Sequence, residues 1–145
     1  MSQKVNNDFN IEFLDHVAIR VKDVTLSAKW YADVLGLKKV QLEKWGSFPI
    51  FMLSGKSGVA LFPSDIEKKT KPLASKDVKI DHFAFHVTAE NFEKAKAKFT
   101  ALGIAYKQED HHYFYSIYIK DPDDHTVELT TIKVDASEFY NGSVS

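Results

Sequence analysis

The chain has 145 residues, of which 44% are hydrophobic and 27% charged, a composition typical of a soluble globular domain that buries a core. A formal net charge of −1 and a pI near 6.6 give no electrostatic basis for binding nucleic acid or an anionic membrane. The absence of cysteine excludes disulfides and thiolate chemistry, and no apolar run approaches the roughly 20 residues of a membrane span. We therefore expect a soluble, cytoplasmic protein.

The first half of the chain predicts one strand, one helix and three further strands. Residues 1–10 are polar and predict a flexible tail, followed by a strand at about 12–21. Asp23 is suited to cap the helix, and Gly36 is suited to end it. The apolar positions expected on the buried face of that helix are Leu26, Trp30, Val34 and Leu35. The three strands are expected near 37–45, 48–54 and 58–63.

The second half predicts the same order of elements. Residues 64–79 contain a lysine run and predict a solvated linker. A strand at 80–87 precedes a helix that Thr88 caps and Gly103 ends, and Phe92, Ala95, Phe99 and Leu102 form its apolar face. Strands near 104–110, 112–120 and 125–132 follow, then a tail at 133–145 with a short helix around Phe139 and Tyr140. We expect one domain at 11–132, made of two β-α-β-β-β modules at about 12–63 and 80–132.

The first strand of each module carries the same pattern. Leu14-Asp15-His16-Val17-Ala18-Ile19-Arg20-Val21 and Ile80-Asp81-His82-Phe83-Ala84-Phe85-His86-Val87 both place Asp-His before an alternating apolar run. Because successive side chains of a strand point to opposite faces, His16 and His82 lie on the face opposite the apolar series. The repeat therefore presents a histidine in the same way twice.

Alternation along the other strands predicts which side chains share a sheet face with each histidine. In the first module the expected face carries Phe48, Ile50, Met52, Ala60 and Phe62. In the second module it carries Phe114, Ser116, Tyr118 and Glu128, with His86 near the mouth. Two such faces would enclose a cup with aromatic walls, and we expect Phe48, Ile50, Met52, Phe62, Phe114 and His86 to contact a small-molecule substrate.

Three side chains of the metal-ligand type are predicted to point into this cup. Glu128 stands between Val127 and Leu129, and burying a lone carboxylate costs several kcal/mol unless the carboxylate is paired or coordinated. Two imidazoles and one carboxylate form a facial triad that leaves open positions on a divalent metal. We expect His16, His82 and Glu128 to bind one divalent ion, which the sequence leaves open among Fe, Mn, Zn, Ni and Co.

These features resemble the vicinal oxygen chelate superfamily, which includes glyoxalase I, extradiol dioxygenases, fosfomycin-modifying enzymes and bleomycin-binding proteins. The resemblance covers about residues 12–131 and includes the segment from Tyr118 to Leu129, YIKDPDDHTVEL, whose most specific part is DPDDHTVEL from Asp121 to Leu129. It implies an α+β fold in which two βαβββ modules form an eight-stranded open barrel. It also implies that His16, His82 and Glu128 are the metal ligands and that the chain forms a homodimer.

The resemblance leaves the reaction open. Extradiol dioxygenases place an active-site tyrosine ten residues before the glutamate, where Tyr118 stands, so a dioxygenase with Tyr118 as catalytic residue is slightly favoured. The first alternative is a non-catalytic drug- or metabolite-binding protein. The second alternative is a glyoxalase I-type lyase or isomerase. Such enzymes often place a carboxylate at the first-module position that matches Glu128, and this chain has Ala60 there. His111 and His112 lie nearby but out of register with the histidine that dioxygenases use.

Overall fold

The fold is described from a computed structural model, which describes residues 8–65 and 76–141. The expected tail at 1–10 and the linker at 64–79 therefore fall mostly outside the described residues. The chain divides into two compact units, residues 1–64 and 65–145, which are described separately below.

The first unit is a four-stranded mixed sheet with one helix. Its elements are β1 (His16–Val21), α1 (Val24–Leu35), β2 (Lys38–Val40), a single 3-10 turn (Glu43–Trp45), β3 (Ile50–Ser54) and β4 (Ser57–Pro63). The strand order is β1-β4-β3-β2, with β1 parallel to β4 and the other neighbours antiparallel. The side chain of Asp23 accepts the N–H groups of Thr25 and Leu26, and Gly36 ends the helix with a φ of 70°.

The helix α1 packs through a different face from the one expected. Its buried residues are Ser27, Ala28, Tyr31 and Val34, whereas Leu26 is exposed. The two small residues allow a close approach to the sheet, and Tyr31 then fills the space with no exposed surface. The predicted helix is confirmed; of its predicted apolar positions Val34 is buried, Trp30 and Leu35 are half-buried, and Leu26 is wrong.

The register of β3 corrects the predicted positions of Ile50 and Met52. The tight turn at Gly55 and Lys56 pairs Ser54 with Ser57, which places Ile50 opposite Leu61 and Met52 opposite Val59. These positions lie on the helix side, where both side chains are buried. The prediction that Ile50 and Met52 share a face with His16 is therefore wrong. A shift of one residue moves every side chain of a strand to the other face.

The strand expected near 37–45 is also shorter than predicted. It ends at Val40, and the 3-10 turn follows. The side-chain amide of Gln41 donates to the carbonyl oxygens of Gly46 (3.1 Å) and Ser47 (3.2 Å), which closes the chain on itself and ends the extended conformation.

The second unit repeats the order of the first. Its elements are β5 (Phe83–His86), α2 (Ala89–Ala101), β6 (Lys107–Asp110), β7 (Phe114–Lys120), β8 (Thr126–Ile132) and a short C-terminal helix (Ser137–Asn141). The strand order is β5-β8-β7-β6, again with one parallel pair, β5 and β8. Both units therefore have the order β-α-β-β-β, which confirms the predicted α+β class; the eight strands form two four-stranded sheets.

Helix α2 anchors the core of the second unit through two aromatic rings. Phe92 and Phe99 are almost fully buried, as the predicted apolar face requires, whereas Leu102 is exposed. The Thr88 hydroxyl caps the helix by accepting the N–H of Asn91 at 3.1 Å. The sheet contributes Ile117, Ile119, Val127 and Leu129 to the same core. The opposite face of this sheet is thus left for the polar residues of the candidate site.

Candidate functional site

The central strands of the second unit gather the predicted polar residues on one face. Ala84 of β5 pairs with Glu128 of β8, and Glu128 pairs with Tyr118 of β7. Paired residues in neighbouring strands point to the same side of a sheet. Glu128 and Tyr118 therefore share a face, as the alternation predicted, and His82 directly precedes the strand that carries Ala84.

His82 and Glu128 are in direct contact. The Nε2 atom of His82 lies 2.9 Å from Oε1 of Glu128, and Nδ1 of the same ring lies 2.9 Å from Oδ2 of Asp81. The Asp81 pKa is lowered, first by its hydrogen bond to His82. Glu128 is 8% exposed, so the imidazole and the Tyr118 hydroxyl, which hydrogen-bonds to the same carboxylate, offset its burial.

The positions of His82 Nε2 and Glu128 Oε1 fit two ligand atoms of one metal ion. A carboxylate on Nδ1 fixes the orientation of the ring and directs Nε2 to the ligand position, as is usual for metal-binding histidines. Two ligand atoms about 2.1 Å from an ion and at a right angle to each other lie about 3.0 Å apart, which the observed 2.9 Å matches. Within residues 8–65 and 76–141, no three His, Cys, Asp or Glu side chains are gathered closely enough to hold a metal ion.

Tyr118 stands beside this pair. Its ring meets the His82 ring edge to face, with centroids 5.7 Å apart. Burial raises the pKa of the Tyr118 phenol, and the charges of Glu128 and Glu109 raise it further. The group is therefore a neutral hydrogen-bond donor throughout the neutral pH range.

The first unit contains a matching but chemically different arrangement. His16 Nδ1 lies 2.8 Å from Asp15 Oδ1, which repeats the histidine–aspartate contact. Ala18 pairs with Ala60, and Ala60 pairs with Phe51, so Ala60 and Phe51 occupy the places of Glu128 and Tyr118. The Phe51 ring meets the His16 ring edge to face at 4.9 Å. The repeat thus retains the histidine and an aromatic neighbour but loses the carboxylate and the phenol.

The remaining predicted contact residues have different surroundings. Phe48 and Phe62 lie together, with ring centroids 6.3 Å apart, and the Arg20 guanidinium lies over the Phe62 ring. Phe114 packs against Phe139 of the C-terminal helix at 4.6 Å. His86 is exposed and pairs with Thr130 on the face that carries Glu128. Ile50 and Met52 lie in the helix-side core, as described above.

Sequence reasoning missed three residues of these faces. The predicted register of β3 was shifted by one residue, so Phe51 was assigned to the wrong face of the sheet. The two-residue turn at Gly55 and Lys56 gives the correct register. In the β6–β7 hairpin, His111 contacts the Tyr118 hydroxyl and Glu109 contacts His111. The alternation of β6 could have placed Glu109, whereas His111 lies in a loop and has no periodic signal.

A sequence model of the "Glyoxalase/Bleomycin resistance protein/Dioxygenase superfamily" matches residues 13–129. The chain belongs to this superfamily. It is similar to the glutathione transferase FosA of Serratia marcescens, at 25% identity over 119 residues that cover 82% of this chain and 80% of that protein.

Two solved structures illustrate the fold. A glyoxalase/dioxygenase from Nostoc punctiforme superposes with a TM-score of 0.74 at 19% identity, covering 92% of this chain and all of that one. The fosfomycin resistance protein FosX from Mesorhizobium loti gives a TM-score of 0.62 at 25% identity, covering 89% of this chain and 98% of that one.

Among residues 8–65 and 76–141, no helix combines the length and apolar character that crossing a bilayer requires.

Proposed function

We propose that this superfamily member is a metal-dependent enzyme that acts on a small oxygenated substrate. The observation that carries the proposal is the buried Glu128 carboxylate held 2.9 Å from His82 Nε2, with Asp81 on the other ring nitrogen. A buried carboxylate needs a compensating partner, and a pair of this geometry suits a divalent ion as well as it suits a proton.

We propose His16 as the third metal ligand. The support is its Asp15 contact, which repeats that of His82, and its equivalent place in the repeated strand pattern. A metal held by these three residues would act as a Lewis acid that polarises oxygen atoms of the substrate. Asp15 and Asp81 would hold each imidazole with Nε2 as the free ligand atom.

Tyr118 is proposed as the catalytic residue. Its phenol is protonated at neutral pH and stands next to His82, so it can donate a hydrogen bond to a substrate oxygen. Phe48, Phe62 and Phe114 are proposed as contacts for the apolar part of the substrate, and His86 for its polar edge. The aromatic surroundings of His16, with Phe51 in the place of Tyr118, favour a substrate that is partly apolar or aromatic.

The extradiol-type reaction is our first candidate, because Tyr118 lies at the place that the resemblance assigns to the active-site tyrosine. A glutathione-dependent reaction is the second candidate, since a protein named glutathione transferase FosA is similar over most of both chains. An isomerisation of the glyoxalase I type is less well supported, because the position of the first unit that is equivalent to Glu128 holds Ala60, which has no carboxylate.

The two candidates can be separated by turnover assays on protein reconstituted with each divalent metal in turn. Oxygen uptake with substituted catechols supports the extradiol reaction, and metal-dependent loss of glutathione thiol with fosfomycin supports the transferase. Tyr118→Phe is the matched variant, because it removes one oxygen and keeps the ring. Metal-independent binding of small aromatic ligands without any turnover would contradict the proposal and favour a binding protein.

A further inference from the structure

The loop of the β6–β7 hairpin brings a further histidine next to Tyr118. His111 Nε2 lies 2.8 Å from the Tyr118 hydroxyl oxygen and 3.3 Å from Oε2 of Glu109. Glu109 pairs with Ser116 in the adjacent strand, two positions before Tyr118, so its side chain points to the face that carries the phenol. One ring nitrogen thus faces a phenol and a carboxylate at once.

The backbone around His111 is held on both sides. Its N–H donates to the Phe114 carbonyl at 2.8 Å, and its own carbonyl accepts the Tyr113 N–H at 2.8 Å. The preceding residue, Asp110, accepts from the Lys133 ammonium at 2.8 and 2.9 Å. The position of the imidazole is therefore set by the hairpin and by a link to the segment after β8.

The direction of the His111–Tyr118 hydrogen bond follows from Glu109. An ionised carboxylate only accepts hydrogen bonds, so its approach to Nε2 favours the state in which Nε2 carries a hydrogen. That hydrogen is donated to the phenol oxygen at the shorter distance. The hydroxyl hydrogen of Tyr118 then points away from His111, and the Glu128 carboxylate, which also hydrogen-bonds to Tyr118, is the acceptor on that side.

We propose that Glu109 and His111 are positioning residues that aim the Tyr118 O–H at the face carrying His82 and Glu128. This inference rests on the proposed function in one respect: it gives Tyr118 its role as the donor to a substrate oxygen. The pair acts through Tyr118, because Tyr118 is the residue of β7 that pairs with Glu128 in β8. Its effect is to select one of two hydroxyl directions before the substrate arrives.

The test is an NMR comparison on protein labelled with 13C at the ζ carbon of tyrosine. Tyr118→Phe assigns the Tyr118 signal, and three further variants are compared with the unaltered protein. His111→Gln keeps a side-chain N–H donor but removes the ring, whereas His111→Phe keeps a ring and removes the donor. Glu109→Gln keeps His111 but replaces the carboxylate that selects its protonated nitrogen.

If the hydrogen bond positions Tyr118, its signal moves by more than its linewidth in His111→Phe and stays close to its original position in His111→Gln. Glu109→Gln moves the signal in the same direction as His111→Phe. The reverse order, with His111→Gln displaced and His111→Phe unchanged, would show a ring-current effect and overturn the proposal. An unmoved Tyr118 signal in all three variants would overturn it too.

The Glu109→Gln variant and the metal content provide two controls. If His111→Phe also shifts the signals of Tyr113 in the loop and Tyr115 in β7, the conclusion is drawn from Glu109→Gln, whose substitution lies in the regular strand β6. An unmoved Tyr118 signal in that variant then overturns the proposal. Metal content is measured on the same samples: its absence in every sample would remove the proposed function, while a displaced Tyr118 signal would still support the positioning pair.

Discussion

Removing the His82 imidazole from metal-free protein should destabilise the fold, because the buried Glu128 carboxylate then loses one of its two partners and keeps only the Tyr118 hydroxyl. Glu128 is 8% exposed and its Oε1 lies 2.9 Å from His82 Nε2. A hydrogen bond to a charged group contributes about 1.5–3 kcal/mol, and breaking a fully buried pair costs about 3–5 kcal/mol. The His82 side chain is 35% exposed, so water can replace part of it and the lower range applies. For a chain of this size that range corresponds to a fall in Tm of roughly 3–12 °C.

The assay is thermal unfolding of chelator-treated His82→Ala protein, with His86→Ala as the matched control. His86 lies four residues after His82, at the end of β5 and on the same face, but is exposed, so we expect its replacement to change stability by no more than about 0.5 kcal/mol. Adding Glu128→Gln to His82→Ala should recover part of the loss, since a neutral amide is less costly to bury than a charge. Equal Tm values for His82→Ala and His86→Ala would refute the assigned partnership.

Three further outcomes are expected. Tyr118→Phe should lower turnover by about 10²-fold or more, the usual scale for a lost acid–base group, with Tm and metal content nearly unchanged; equal activity would reduce Tyr118 to pocket lining. The pKa of Asp110 is lowered and that of Lys133 is raised, each mainly by their mutual hydrogen bond. The Asp110 contribution to stability is therefore present above the ordinary pKa of 3.8 and lost as pH falls through the lowered value. The Lys133 contribution is present below the ordinary 10.5 and lost as pH rises through the raised value. The Tm of Lys133→Met should therefore lie below that of the unaltered protein at pH values between the lowered pKa of Asp110 and the raised pKa of Lys133, and the two Tm values should converge outside this range. A Tm difference that does not depend on pH would contradict the ion pair. Sedimentation at micromolar concentration should show a homodimer, because natural proteins usually cover the edges of sheets, and a species of only 16.5 kDa would contradict this.

The repeat made much of the fold predictable. Two alternating strands with the same Asp-His start, each followed by a capped helix, predicted both β-α-β-β-β units and the shared face of Glu128 and Tyr118. Alternation has a period of two, so it is readable wherever a strand has one apolar face. The short C-terminal helix around Phe139 and Tyr140 was also predicted, and it is confirmed.

The sequence was less informative where geometry depends on turns. The faces of Ile50 and Met52 were wrong because register in a hairpin depends on the number of residues in the turn, and an error of one residue exchanges the faces. His111 could not be placed because a loop has no periodicity, and its contact with Tyr118 depends on how the hairpin closes. The buried face of α1 was missed because Ser27 and Ala28 are buried for their small size, which hydrophobicity does not indicate.

Metal content is the most direct test of the assignment of His82 and Glu128 as ligands. Unaltered protein, Glu128→Ala and the control His86→Ala are purified without chelators, dialysed against each divalent metal, and analysed for metal per chain. We expect one bound ion per chain in the unaltered and His86→Ala proteins and its loss from Glu128→Ala, because the carboxylate supplies the only anionic ligand proposed. An unchanged metal stoichiometry in Glu128→Ala would contradict the assignment.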